Sequence, residues 1–132
     1  MSPSPDTSRR ARLAAGIPAV HSSIYWRIGF SVGDQVVLIE LPQGNGTEAT
    51  LILRDIEMGR ARQFARVDHV ACPADFAPAG GLSGDRETAN AQAAAECLRR
   101  AGVTHVTGDR TLPLIFVDCA RQAGIAVDCE PD

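Results

Sequence analysis

Apolar residues gather along this chain in short clusters, and the spacing inside each cluster predicts the element it forms. Residues 36–41, Val-Val-Leu-Ile-Glu-Leu, are apolar everywhere except Glu40, the pattern of a strand covered on both faces and central in its sheet. Pro42, Gly44, Asn45 and Gly46 supply turn chemistry, and residues 50–53 (Thr-Leu-Ile-Leu) return as an antiparallel partner. Upstream, residues 24–30 (Ile-Tyr-Trp-Arg-Ile-Gly-Phe) are aromatic and β-branched, which suits an extended segment packed on one face. These three segments are read as a meander. Ahead of them, residues 8–15 read as a short helix capped by Ser8, ended by Gly16 and kept from continuing by Pro18.

Past Arg54 the pattern changes to helical spacing. Asp55 is placed to cap a helix running to Ala65, with Ile56, Ala61, Phe64 and Ala65 as its apolar stripe, and residues 67–71 form a short strand. Residues 73–84 mix Pro, Gly and Ser and read as a surface loop. The longest helix covers residues 85–101. Ala91, Ala94, Ala95 and Leu98 share one face, acidic residues occupy the first turn, Arg99 and Arg100 the last, and Gly102 ends it. A face of such small side chains predicts close approach to a sheet. Residues 103–107 then give a strand, residues 112–123 a helix with Pro113 in its first turn and Gly124 after its end, and residues 125–129 a last strand. The fold class that follows is α/β: a mixed sheet of about five to six strands, an antiparallel meander followed by β-α-β-α-β, flanked by helices.

Composition narrows the setting. A chain of 132 residues with 45% hydrophobic and 22% charged residues is one domain with a single fold's worth of core. Its 13 basic residues, all Arg, are scattered among 16 acidic ones for a net charge of −3, so no electrostatic footprint for nucleic acid is expected. Residues 1–8 are polar and lack the apolar core of a signal peptide, and no segment is long and apolar enough to span a bilayer. A cytoplasmic protein without a membrane partner is expected. Cys72, Cys97, Cys119 and Cys129 are widely spaced with no Cys-x-x-Cys pair, the signature of reduced thiols rather than a disulfide framework or zinc ribbon.

Three stretches together resemble the amino-terminal domain of the creatinase, prolidase and aminopeptidase P family. Trp26-Arg27-Ile28-Gly29-Phe30 takes the place of an aromatic-x-[Ser/Thr]-Gly-Phe strand end. Residues 51–57 (Leu-Ile-Leu-Arg-Asp-Ile-Glu) resemble its strand followed by a helix opening on Glu, and residues 108–113 (Gly-Asp-Arg-Thr-Leu-Pro) its approach to the last helix. The likeness runs from about residue 9 to residue 132. Ile28 departs from the pattern, standing where the family has a hydroxyl side chain.

The resemblance implies a ribonuclease-H-like topology over residues 1–132. It also implies a carboxyl-terminal pita-bread catalytic domain, expected after residue 132, that holds two divalent metal ions (manganese, cobalt or zinc) on two Asp, one His and two Glu. The chain would then be the non-catalytic half of a metal-dependent Xaa-Pro dipeptidase or aminopeptidase, or of a creatinase-like amidinohydrolase. Its partners would be its own catalytic domain, a second copy in a homodimer, and a short peptide substrate. In such relatives the strand end lends aromatic or Arg side chains to a substrate pocket, which makes Trp26, Arg27 and Phe30 the substrate-pocket candidates here. A stand-alone interaction or small-ligand-binding α/β module is the competing reading.

No catalytic or metal site of the chain's own is expected. His69-x-x-Cys72 is the one tight pair of soft ligands, and on a strand its members point to opposite faces. Cys119 lies past the middle of a helix, without the neighbouring base or helix amino terminus that would activate it. A ribonuclease-H-like nuclease needs clustered carboxylates, yet the first strands offer only Glu40.

Overall fold

The computed structural model describes residues 9–130. The polar amino terminus, with the expected cap Ser8, and the last two residues lie outside that range. Twelve segments follow one another: strand β1 (Arg10–Gly16), helix α1 (Ser22–Ile28), strands β2 (Val36–Gln43) and β3 (Gly46–Ile52), a 3-10 turn (Asp55–Glu57), helix α2 (Met58–Phe64), strand β4 (His69–Ala71), a second 3-10 turn (Pro73–Phe76), helix α3 (Arg86–Arg100), strand β5 (His105–Gly108), helix α4 (Leu114–Gln122) and strand β6 (Ala126–Cys129). The strands form one sheet in the order β4-β3-β2-β1-β5-β6. β2 runs antiparallel to β1 and β3, while the β3–β4, β1–β5 and β5–β6 pairs are parallel. This is the mixed α/β sheet read from the sequence, with the ribonuclease-H-like succession of a meander followed by parallel strands reached through helices.

Two expectations are overturned at the start of the chain. Residues 8–15 read as a helix, but β1 is a strand, its burial alternating so that Ala11, Leu13 and Ala15 face inward while Arg10 and Arg12 are exposed. The Ala-rich composition favours a helix locally. Ladders to β2 on one side and β5 on the other hold it extended instead, a case of tertiary pairing overriding propensity. Conversely, residues 24–30 read as extended, but Ser22–Ile28 is helical, with Ile24 and Ile28 buried at the i, i+4 spacing of one helix face. The meander's first strand is therefore β1.

Further along, the expected helix at residues 55–65 divides into a 3-10 turn and α2, with no side-chain cap at either start. Of its expected stripe Ala61 is fully buried, whereas Ile56 and Phe64 are 70% and 59% exposed, because the turn rotates the face that precedes it. The β-α-β-α-β half also needs one refinement: β4 lies at the far edge of the sheet from β5, so α3 crosses the sheet between them.

Helices cover both faces. On one side α3 and α4 pack Ala91, Ala94, Leu98, Phe116 and Ala120 onto Leu13, Val37, Ile39 and Val106. The Ala stripe lets α3 come close, as its sequence predicts, and Asp85 caps it by accepting the Thr88 N–H at 3.0 Å. On the other side α1 and α2 pack Ile24, Ile28 and Ala61 onto Val36, Leu38, Leu51 and Leu53. Burying a side chain as completely as Ile28 contributes about 1.5–3 kcal/mol. The cluster under α1 and α2 takes no residue from β5 or β6, so no helix of the described residues covers that end of the sheet face.

Candidate functional site

The aromatic stretch sits on α1 and the loop leaving it. His21 precedes the helix, its Nδ1 accepting the Ile17 N–H at 2.8 Å, close under Gly16, where a Cβ would lie 3.0 Å from that ring. The helix ends at Gly29, whose φ of 63° is left-handed and whose N–H bonds the Tyr25 carbonyl at 2.7 Å, the glycine-favoured way to stop a helix. Arg66 closes over Gly29 and donates from Nη2 to the Trp26 carbonyl at 2.7 Å, satisfying one of the orphan acceptors of the last turn.

Trp26, Arg27 and Phe30 go to three different places. Trp26 is 72% exposed on the outer face of α1, its ring edge-on to Tyr25 with centroids 6.0 Å apart. Arg27 points toward the sheet, where Nη1 donates to Glu40 Oε1 at 2.5 Å, and it lines a cleft with Ala14, Ser23, Ile24, Asp109 and Glu130. Phe30 is buried in the core under α1 and α2, with the Arg60 guanidinium 5.0 Å above its ring. The structure thus leaves Trp26 and Arg27 reachable from outside and gives Phe30 to packing. Ile28, which stands where the motif resemblance expects a hydroxyl side chain, is fully buried, so an apolar side chain suits that position.

Sequence reasoning missed the ion-pair row that holds Arg27. Glu40 takes Arg27 and, at 3.8 Å, Arg12 Nε; Arg12 in turn reaches Glu130. The signal was visible only as alternation: with β1 a strand, Arg10 and Arg12 both project to the face that Glu40 occupies on β2.

Other candidate chemistry is dispersed. His69 pairs with Glu48 at 3.2 Å, and Cys72 N–H with Asp75 at 2.9 Å. No group of three or more His, Cys, Asp or Glu able to hold a metal ion occurs among the described residues. All four thiols are free. Burial pushes Cys97 up to about 11, and burial together with the Asp118 charge raises Cys119, which works against a thiolate nucleophile. On the outward face of the sheet β1 presents Arg10 and Arg12 and β5 presents Thr107, with Glu40 of β2 and Asp128 of β6 on either side. No helix of the described residues is long and apolar enough to cross a membrane.

No protein-family model matches the sequence, and no curated protein matches it. Solved structures do. Xaa-Pro dipeptidase from Bacillus anthracis superposes with a TM-score of 0.64 over 91% of this chain at 14% identity. Prolidase from Pyrococcus furiosus does so with 0.57 over 90% at 15%. A Creatine_N superfamily domain of a dipeptidase from Streptococcus thermophilus gives 0.54 over 95% of this chain and 83% of its own at 10% identity. The chain has the creatinase amino-terminal-domain fold. It spans 28% of the prolidase and 28% of the Bacillus dipeptidase, so this fold accounts for a minor part of each. Identities of this size establish the fold, as the motif resemblance predicts, and carry no residue roles with them.

Proposed function

We propose that this chain is the non-catalytic amino-terminal domain of a metal-dependent Xaa-Pro dipeptidase or aminopeptidase, working beside a carboxyl-terminal catalytic domain that carries the two divalent ions. One observation supports it above others: the creatinase-type fold spans 28% of two Xaa-Pro peptidase chains, while no metal-ligand cluster occurs among this chain's described residues. The domain's contribution would be positional. It would narrow the approach to the metal site, favouring short peptides, and help to join two copies, since contacts remote from the reacting bond orient it.

Within that reading Trp26 and Arg27 are the residues that reach a neighbour. Trp26 offers an exposed aromatic surface, the kind of side chain that anchors interfaces, and Arg27 offers a guanidinium steadied by Glu40. Phe30, buried with Ile24 and Ile28, would anchor the end of the helix that presents them. The test is to read the gene past Asp132 and assay its full product on Xaa-Pro dipeptides with manganese or cobalt. Hydrolysis that falls in Trp26→Ala while the folded state is kept supports the proposal. An in-frame stop and no hydrolysis overturn it in favour of a stand-alone interaction module.

A further inference from the structure

The part of the sheet that α1 and α2 leave uncovered takes in the first residues of β1 together with β5 and β6. The outward residues Arg10 and Arg12 of β1 pair across the sheet with His105 and Thr107 of β5, and Arg12 with Glu40 of β2. Here Arg10, Arg12, Thr47 and Thr107 line a shallow depression of about 130 Å3 with Pro42 and Glu40. The floor is β1 itself, a central strand held by ladders on both sides, so the two guanidinium stems rise from a rigid base.

The two arginines differ in state. Arg12 is held by Glu130 and Glu40, and Arg27 shares Glu40 with it. Arg10 makes no ion pair or hydrogen bond among the described residues, and neither do the Thr47 and Thr107 hydroxyls. Arg10 is therefore a guanidinium without a carboxylate partner among the described residues, and it sits beside two hydroxyl donors. Two further carboxylates stand on this side: Asp109, which lines the cleft beside Arg27 and Glu130 and accepts the Thr111 N–H and hydroxyl, and Asp128, opposite Thr107 on β6. Asp128 is one strand spacing from Thr107 and two, about 10 Å, from β1, where water and salt weaken its effect on Arg10.

We propose that this depression is a binding site for a single oxyanion group, carboxylate or phosphate, with Arg10 as its principal ligand. A planar guanidinium offers two parallel N–H donors matched to two oxygens of such a group. Arg12, already fixed by its own carboxylates, borders the site without having to be ordered, and Thr107 and Thr47 can each donate one hydroxyl hydrogen. Because the site is open to solvent, its affinity falls with ionic strength. The inference needs no catalytic domain and stands apart from the peptidase reading.

The test uses the whole 15N-labelled chain, titrated separately with sodium acetate and sodium phosphate at constant ionic strength, with sodium chloride as reference. Saturable shifts at the Arg10, Arg12, Thr47 and Thr107 amides are expected, weakened roughly tenfold in Arg10→Ala, the worth of one charge-assisted hydrogen-bonded partner. Arg10→Lys, which keeps the charge and loses the fork, should fall between. Saturation by acetate alone assigns the site to carboxylates; saturation by phosphate assigns it to phosphate groups. Shifts no different from chloride, or an Arg10→Ala chain that folds and binds as before, overturn the proposal.

Discussion

Glu96 shows how far one side chain can depart from its ordinary behaviour. It is 8% exposed, yet it is charged, because Arg99 donates to both its oxygens at 2.8 Å and Arg100 to Oε2 at 2.8 Å. Hydrogen bonds from Arg99 first and Arg100 second hold its carboxyl down at about 2, against an ordinary 4.5. The folded chain therefore binds this proton less readily than the unfolded chain. Its stabilisation is complete above about pH 4.5 and is lost as the pH falls toward 2. In Glu96→Gln the urea midpoint should be lower at neutral pH, and its decline between those two pH values should flatten. An unchanged acid limb in the variant would show that the triad does not set it. The sequence announces Arg99 and Arg100 as helix-end charges, and the i, i+3 and i, i+4 spacing to Glu96 was legible too. Burial of that glutamate was not, since only the packed fold reveals which side of α3 the 3-10 turn at Pro73–Phe76 covers.

Among the elements, α3 is the one whose sequence and structure agree most fully. Its cap, its small-residue face and its terminating Gly102 at φ 74° all fall where the pattern puts them, because local preference and tertiary packing demand the same thing there. Ala94 is 1% exposed against the sheet, so Ala94→Leu inserts volume where α3 cannot back away. A loss of about 1–3 kcal/mol is expected, read from urea unfolding. β1 and α1 show the opposite relation. Residues 10–16 have the composition of a helix and residues 22–28 that of a strand; the first is held extended by pairing on both edges, and the second is helical with Ile24 and Ile28 buried on one face. The burial of alternate residues in β1 and of Ile24 with Ile28 in α1 was present in the sequence as spacing; composition outweighed it. That exchange is also why the placement of Trp26, Arg27 and Phe30 was only half legible. A strand would align Trp26, Ile28 and Phe30 on one face, whereas a helix turns about 100° per residue and sends Trp26 outward, Arg27 to the sheet and Ile28 to the core.

At the level of the whole molecule, the topology and the two covered faces follow from the order of elements, and the bare end of the sheet does not. It arises because α1 and α2 sit over β2, β3 and the neighbouring parts of β1 and β4, a matter of three-dimensional placement that no run of residues encodes alone. The loop before α3 has a consequence of another kind. It is gripped near its start by Arg100, which donates to the Asp75 and Ala77 carbonyls at 3.1 and 3.2 Å, and at its end by Gln92, which accepts the Ser83 N–H at 2.7 Å. Between those grips Gly80 and Gly81 form an exposed turn. A cut there leaves β1 to β4 in one piece and α3 to β6 in the other, with β5 still laddered to β1 and Leu98 and Phe116 still in the shared core. Expressed as two polypeptides divided between Gly80 and Gly81, the domain should reassemble and co-purify through a tag on either piece. The fold would then serve as a split reporter, with its halves reading out the proximity of whatever is fused to them.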